Sequence, residues 1–295
     1  MAEAIGLIER AAALLRQRDA NVSVPLSPPA GGAVDGSGCP ELVLDRGRLA
    51  GYGVTVPSSA QSRTVEEFRL VKRNLQAQLS QGDSIADQRS SRLIMVTSAR
   101  PNEGKTFTSL NLALAFASER DVKALLVDVD THHSTLQTIL GISTEQGIVD
   151  VLAGNHELSE VLIQTNIVNL MVLPAGRGGP HVPELFSSNR MAILMAEMTR
   201  RFGDRYVIID TPPCMASSDA AALAPLVGQI VFIVEAHQTQ QVEIEASLSM
   251  LSACPRISLL LNKSDSMAGE HFGSYEHYYY SHGRESDAPG TGEPA

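Results

Sequence analysis

Residues Leu93 to Thr106, with the sequence LIMVTSARPNEGKT, carry the clearest indication of the fold. Its first part, Leu93–Val96, is an uninterrupted apolar run that indicates a buried strand. The part that follows, Ala99–Thr106, has the spacing of a Walker A loop in which Ala replaces the first glycine. Helical sequence begins near Gly104. A loop between a strand and a helix can surround phosphate oxygens with backbone N–H groups, so this order of elements predicts a P-loop.

The side chains of this loop have distinct expected roles. Lys105 would lie across the β- and γ-phosphates, and Thr106 would offer its hydroxyl to Mg²⁺. Gly104 allows the backbone to approach the phosphates closely. The predicted nucleotide-binding residues run without a gap from Ala99 to the residue after Thr106: Ala99, Arg100, Pro101, Asn102, Glu103, Gly104, Lys105, Thr106 and Phe107. The predicted ligands are therefore ATP and Mg²⁺.

Two aspartate motifs stand at the ends of later apolar runs. Asp128 and Asp130 follow one of them, and Asp210, in the sequence Asp-Thr-Pro-Pro, follows another. A single aspartate after a strand usually caps a turn or a helix. Strand carboxyl ends in an open α/β sheet converge on the ligand crevice, however, so two such motifs beside a P-loop favour a metal site. We predict Lys105, Asp128, Asp130 and Asp210 as the catalytic residues.

The rest of the chain alternates between apolar runs and helical stretches, which predicts a parallel sheet covered on both faces. The predicted fold class is α/β: a P-loop NTPase with a doubly wound, mostly parallel sheet and helices on both faces. The predicted strands are Leu93–Val96, Ala124–Val127, Leu170–Leu173, Val207–Ile209, Ile230–Val234 and Ile257–Leu261.

Composition divides the chain into four parts. Residues 1–18 are predicted to form a helical segment, and residues 19–58, which are rich in Pro, Gly and Ser, to form a flexible linker. Residues 59–270 are predicted to form the P-loop domain, which opens with an amphipathic helix near 62–81. Residues 271–295 are polar, tyrosine-rich and predicted to be disordered.

Charge and cysteine content exclude several functions. The 295 residues carry a formal net charge of −10, which gives no electrostatic support to a nucleic-acid partner. The 3 cysteines lie far apart without metal-ligand or disulfide spacing, as expected in a reducing cytoplasm. The sequence contains no apolar run of about 18 residues, so a membrane-spanning helix is not expected.

These motifs together resemble the bacterial tyrosine kinases of polysaccharide export systems, over roughly residues 60–280. In that family Asp128-x-Asp130 corresponds to a Walker A′ motif and Asp210-Thr-Pro-Pro to a Walker B motif. Further matching residues are Ser98, Asn111-Leu112-Ala113, Glu67-Phe68-Arg69, Asn74-Leu75, Pro174-Ala175-Gly176 and Pro183-Glu184-Leu185. The chain is most similar to the exosortase-associated members, which carry no fused membrane domain.

The resemblance implies an ATP-dependent autokinase that phosphorylates its own C-terminal tyrosines and regulates exopolysaccharide synthesis. The tyrosines are Tyr275, Tyr278, Tyr279 and Tyr280. A tail from a neighbouring subunit of a homo-oligomer would enter the site, and Asp128 or Asp130 would accept the phenol proton. The implied partners are a membrane polysaccharide chain-length determinant protein as activator and a tyrosine phosphatase, with no nucleic acid. The implied location is the cytoplasm, at the inner face of the membrane through that partner.

Two positions depart from the family pattern. His132 stands where the family usually has Arg, and the helix motif Glu-x-x-Arg-x-x-Arg is Glu66-x-x-Arg69-x-x-Lys72 here. Members of the family use this helix to form a ring of subunits. Because Lys cannot make a bidentate contact with a carboxylate, an intersubunit contact through Lys72 would be weaker than one through Arg.

Two other classes of protein share part of the pattern. A positioning ATPase of the MinD/ParA type has Lys-Gly-Gly in its P-loop where this chain has Arg100, Pro101 and Asn102, and it has no tyrosine tail. A GTPase is suggested by Asn262-Lys263-Ser264-Asp265, a pattern that reads guanine in such proteins. The Walker A′ motif argues against a GTPase. The tail tyrosines could also form an adhesive patch for a partner.

Overall fold

The computed structural model describes residues 40–56, 62–79 and 92–264. The predicted helix at 1–18 and the predicted disordered tail at 271–295 lie outside them. The strands are β1 Glu41–Leu42, β2 Leu93–Ser98, β3 Lys123–Asp128, β4 Ile163–Thr165, β5 Leu170–Leu173, β6 Arg205–Asp210, β7 Gln229–Glu235 and β8 Ile257–Asn262. The α-helices are α1 Arg46–Gly51, α2 Arg63–Leu79, α3 Lys105–Ala117, α4 Thr135–Leu140, α5 Ile148–Ala153, α6 Leu158–Val161, α7 Val182–Phe186, α8 Asn189–Arg201, α9 Asp219–Leu223 and α10 Gln241–Met250. No helix among the described residues is both long and apolar enough to cross a membrane.

The eight strands form one sheet in the order β1-β4-β5-β3-β6-β2-β7-β8. All neighbouring strands are parallel except β4 and β5, which are antiparallel. The P-loop strand β2 lies between β6 and β7, so it is buried inside the sheet. This topology confirms the predicted doubly wound, mostly parallel sheet.

Alternate residues of the strands build two separate cores. Leu93 and Met95 belong to one apolar cluster, and Ile94 and Val96 belong to the other. Helices α5 to α10 cover the first face, and α1 to α4 cover the second. Successive side chains of a strand point to opposite faces, so a strand buried on both faces must be apolar at every position, which is why the predicted runs were continuous.

All six predicted strands are present, each within a few residues of its predicted ends. The prediction omitted β1 and β4. Both are short, and β4 alternates between buried Ile163 and Thr165 and exposed Gln164. A strand of three residues carries too little periodicity to be distinguished from a loop.

The linker predicted for residues 19–58 is wrong for residues 40–56. There, β1 pairs with β4 at the edge of the sheet, and Asp45 caps α1 by accepting a hydrogen bond from the Gly47 backbone N–H at 2.7 Å. Leu44, Leu49 and Val54 are buried in the second core. The many Gly and Pro residues around this segment suggested a linker, but three well-placed apolar side chains are enough to attach it to the domain.

Helix α2 confirms the predicted amphipathic helix, although Lys72 does not lie on its exposed face. The side chain of Lys72 is buried, and its Nζ donates to the Ala115 carbonyl at 3.2 Å and lies 2.6 Å from Glu119 Oε1. The expectation that Lys72 takes part in a subunit contact is therefore corrected, because its ammonium group binds helix α3 and Glu119, two residues beyond the end of that helix. Glu66 and Arg69 remain exposed and bond to each other.

We expect Leu49→Ala to lower the free energy of unfolding by about 2 to 4 kcal/mol, the usual cost of a cavity at a buried leucine. Leu49 is only 1% exposed. Val43→Ala is the matched control: Val43 lies in the same segment but is 72% exposed, so its change should stay within about 0.5 kcal/mol. Urea unfolding of both variants measures the difference. Equal stabilities would mean that residues 40–56 do not belong to the folded domain.

Candidate nucleotide-binding site

The P-loop connects the buried strand β2 to helix α3 through a backbone that only certain residues adopt. Gly104, the N-cap of α3, has φ 100°, and Asn102 has φ 64°. A Cβ atom at Gly104 would lie 2.1 Å from Nδ2 of Asn262, which is closer than any such contact allows. Glycine at this position is therefore required both by the left-handed backbone and by the neighbouring side chain.

Glu103 turns its carboxylate into the loop and not towards solvent. It is 1% exposed, and its Oε2 accepts a hydrogen bond from the Arg100 backbone N–H at 2.8 Å. Its Oε1 accepts a hydrogen bond from the hydroxyl of Thr239, in the segment between β7 and α10. The Arg100 side chain points away from the loop, with Nε 2.6 Å from Glu243 Oε1. Arg100 therefore stabilises the loop through bonds to protein groups, a role that the Walker A spacing did not indicate.

Lys105 and Thr106 lie where the loop opens towards the strand ends. Lys105 is only 7% exposed, and burial lowers the pKa of its ammonium group, while Asp210, Asp130 and Glu103 act in the opposite direction. Thr106 donates its hydroxyl to the Asp210 carboxylate. A buried ammonium among carboxylates is a fixed positive charge that can meet a phosphate group without moving.

Asp128 and Asp210 occupy paired positions at the carboxyl ends of β3 and β6. Both are 1% exposed. Asp210 Oδ1 accepts a hydrogen bond from Ser109 at 3.0 Å, yet burial still raises the pKa of Asp210 to about 6. Burial, followed by the nearby Asp210 charge, raises the pKa of Asp128 well above its ordinary value. The register of two parallel strands therefore places two carboxylates side by side in a site that water does not reach.

Asp128 carries an unsatisfied oxygen. Its Oδ1 accepts a hydrogen bond from the Asp130 backbone N–H at 3.0 Å, while its Oδ2 is buried with no hydrogen-bond partner among the described residues. A buried carboxylate oxygen without a partner is costly, so such atoms usually mark a place for a ligand. This oxygen lies among the residues predicted to hold nucleotide and metal.

Asp130 has a different environment from Asp128. Its Oδ1 accepts hydrogen bonds from the backbone N–H groups of His132 and His133, at 3.2 and 3.1 Å. Its side chain is 12% exposed and interacts electrostatically with Lys105 and Asp210. Asp130 therefore caps the turn after β3 and also contributes negative charge to the site.

The other predicted loop residues divide by exposure. Ala99 is fully buried at the end of β2, whereas Pro101 and Asn102 are exposed. Phe107 directs its ring away from the loop and packs edge-on against Phe68 of α2, with ring centroids 5.9 Å apart. The Phe107 side chain, although predicted to contact the nucleotide, therefore packs between α2 and α3.

The residues present fit a nucleotide with a bound Mg²⁺. The described residues hold no group of three or more His, Cys, Asp or Glu side chains arranged as a protein-only metal site. Mg²⁺ does not need one, because it is usually held by one or two carboxylates together with phosphate oxygens and water. Asp210 and the Thr106 hydroxyl provide that kind of ligand set, and the buried, unpartnered Asp128 oxygen adds negative charge beside them.

Several residues of the site were missed by the sequence interpretation or given a different role. Ser109 bonds Asp210, Thr239 bonds Glu103, and Asn262 bonds the Glu103 backbone. Ser109 could have been found, since it lies four residues after Lys105 on the same face of α3. Thr239 and Asn262 come from distant parts of the chain, and only the sheet order brings them to the P-loop.

A family model described as an AAA domain matches residues 91–252, more than half of the chain. Together with the P-loop and the sheet, this match shows a nucleotide-binding protein of the P-loop NTPase class. Tyrosine-protein kinase CpsD of Streptococcus agalactiae is 30% identical over 219 residues, which are 73% of this chain and 90% of that protein. The chain belongs to the bacterial tyrosine kinase family.

Solved structures agree with this assignment. The kinase domain of VpsO superimposes with a TM-score of 0.54 and 32% identity, covering 59% of this chain and 85% of that one. The septum site-determining protein MinD of Pyrococcus horikoshii, solved with Mg-ADP, gives a TM-score of 0.50 at 22% identity, covering 59% and 72%. The likeness to MinD shows the fold alone, so the alternative of a positioning ATPase is less supported than a tyrosine kinase.

We expect Asp128→Asn to stabilise the nucleotide-free protein by about 1 to 3 kcal/mol at pH 8 with a chelator present, because it removes one of two adjacent buried charges. A carboxyl group whose pKa is raised by folding loses stability as pH rises from its unfolded pKa through its folded pKa. The gain should therefore be largest above about pH 7 and vanish towards pH 4.

Asp204→Asn is the control for this measurement. Partial burial acts to raise the pKa of the Asp204 carboxyl, but the hydrogen bond and the positive charge of Lys123 together outweigh it, so the pKa lies below its usual range. Its replacement should have the opposite sign and should destabilise slightly at pH 8. Urea unfolding at pH 5 and pH 8 separates the two. A chelated Asp128→Asn protein that is less stable than wild type at pH 8 would contradict the electrostatic interpretation of the site.

Proposed function

We propose that this tyrosine kinase transfers the γ-phosphoryl group of ATP to tyrosines of its own C-terminal tail. The observation that carries the proposal is the unpartnered Asp128 oxygen, buried beside Asp210 and Lys105, because this arrangement suits a phosphoryl donor with its cation. The tail supplies the acceptor: four of the 6 tyrosines of the chain lie between Tyr275 and Tyr280.

The chain's own groups would act by position and charge. Lys105 would lie across the phosphates, and Thr106 and Asp210 would hold Mg²⁺, with the Asp128 carboxylate beside them. Bound Mg²⁺ would neutralise charge on the phosphate oxygens. A bond would form between the phenol oxygen and the γ-phosphorus while the bond to ADP breaks, so the phenol proton needs an acceptor in the site.

Asp128 is the better candidate for that acceptor. A phenol has an ordinary pKa near 10, so it enters the site protonated and needs a base close to its oxygen. Asp128 has an oxygen without a partner, whereas Asp130 uses Oδ1 on the backbone of His132 and His133. Asp130 would add negative charge and hold the turn.

The wider setting of the activity is also a proposal. The described residues that resemble the export-system kinases support a role in exopolysaccharide synthesis, and the exosortase-associated subtype is part of the same proposal. A membrane chain-length determinant protein would activate the kinase from the inner face of the membrane, and a tyrosine phosphatase would reverse the modification. A homo-oligomer would present the tail of one subunit to the site of the next, without contact through the buried Lys72.

We expect Lys105→Met to abolish phosphotyrosine while leaving the fold intact, because this substitution removes the fixed charge but keeps the length of the side chain. Replacing Tyr275, Tyr278, Tyr279 and Tyr280 with Phe should also abolish phosphotyrosine, yet it should leave ATP binding unchanged. Intact mass after incubation with ATP and Mg²⁺ measures the phosphorylation of both variants, and calorimetry measures ATP binding by the four-Phe variant. Heavy tyrosine phosphorylation of the four-Phe variant would refute the tail as substrate.

A mixture of these two variants should restore phosphorylation if the tail enters a neighbouring site. The Lys105→Met chain keeps its tyrosines but has no activity, and the four-Phe chain keeps its activity but has no acceptor. We expect phosphotyrosine on the Lys105→Met chain, identified by its mass, at a rate that rises with the concentration of the four-Phe chain. An unmodified Lys105→Met chain, under conditions in which wild type modifies itself, would show that each tail enters its own site.

A further inference from the structure

The residues Asn262 and Lys263, at the end of β8, reach the P-loop from outside. Nδ2 of Asn262 donates a hydrogen bond to the Glu103 carbonyl at 2.8 Å. Nζ of Lys263 donates a hydrogen bond to the Asn102 carbonyl at 2.7 Å. Two neighbouring carbonyl groups of the P-loop are thus each held by a side chain, one from the last residue of the edge strand β8 and one from the residue after it.

These two bonds fix the direction of two peptide N–H groups. A trans peptide is planar, and its C=O and N–H groups point in opposite directions. Holding the Asn102 carbonyl orients the Glu103 N–H, and holding the Glu103 carbonyl orients the Gly104 N–H. Neither N–H donates a hydrogen bond to any group in the part of the chain that the structure describes. Both are therefore available to bind phosphate oxygens.

The backbone at both ends of the contact is adapted to it. Lys263 has φ 56° and Asn102 has φ 64°, both in the left-handed region that residues other than glycine seldom adopt. Such a conformation persists only where surrounding contacts enforce it. Lys263 Nζ also lies 3.1 Å from Glu235 Oε2, at the end of β7, so its ammonium group is held on two sides.

We propose that Asn262 and Lys263 are positioning residues that aim the Glu103 and Gly104 N–H groups at the phosphates of the nucleotide. Asn262 and Lys263 then act on these two N–H groups, which we call the phosphate cradle, and they do not recognise the nucleotide base. This role concerns nucleotide binding, and it holds whether or not the tail is the phosphate acceptor.

A probe that has phosphates but no base separates the two roles. Inorganic triphosphate with Mg²⁺ and ATP with Mg²⁺ should be titrated calorimetrically into wild type, Asn262→Leu and Lys263→Met. Leucine keeps the branched shape of asparagine at Cγ and lacks its amide donor. The loss of a hydrogen bond from these donors should weaken the binding of both ligands by roughly three- to tenfold. Lys263→Gln, which keeps a donor without the charge, should recover part of the loss.

Lys123→Met is the matched control. Lys123 is exposed to the same extent as Lys263, 46% against 47% of the side chain, and it forms a similar ion pair with Asp204. It lies at the start of β3, whereas Lys263 follows the carboxyl end of β8, so its replacement removes one positive charge without touching the P-loop. Its affinity for triphosphate should match that of wild type. Circular dichroism confirms that every variant is folded.

The outcome decides between the two roles. Weaker binding of triphosphate and ATP by a similar factor, with Lys123→Met unchanged, supports positioning of the phosphate cradle. Unchanged triphosphate affinity in both Asn262→Leu and Lys263→Met would overturn the proposal, and an accompanying loss of ATP affinity would assign these residues to the base. An equal loss in Lys123→Met would overturn it too, because the effect would then come from net charge.

Discussion

The site is organised by the burial of two carboxylates side by side. The register of β3 and β6 pairs Asp128 with Asp210, and the helices on both faces keep water from both. Without a ligand, Lys105, the hydroxyls of Thr106 and Ser109 and the backbone N–H of Asp130 offset this charge. A polar cluster of this kind is costly to the empty protein. That cost falls when a cation is bound, so the same geometry that weakens the fold favours the binding of metal and nucleotide.

This electrostatic arrangement requires a rigid P-loop, because a phosphate group held in the wrong place would be repelled by the two carboxylates. Rigidity comes from bonds that do not involve the ligand. Glu103 bonds Arg100 and Thr239 inside the loop, and Asn262 and Lys263 hold its carbonyls from outside. Preorganised groups of this sort spend no free energy on reorganisation when the ligand arrives. Glycine at 104 makes it possible for the loop and its support to lie so close together.

The sequence was sufficient to predict features that depend on local spacing. The P-loop, the strand-end aspartates and the parallel sheet each follow from a few neighbouring residues. Features that depend on contacts between residues far apart in the sequence could not be predicted from local spacing. Residues 40–56 resemble a linker until Leu49 is seen in the core, and Lys72 resembles an exposed residue until its bonds to Ala115 and Glu119 are seen. Asn262 was recognised as a motif, but its partner Glu103 is 159 residues away.

Strand β8 connects the two halves of the proposed reaction. Its last residue, Asn262, bonds the P-loop, and the chain that continues from Lys263 leads to Tyr275. Tyr275 lies 11 residues after Ser264, a separation of at most about 36 to 40 Å when the chain is fully extended. The segment proposed to supply the acceptor thus follows directly on the two residues that bond the P-loop.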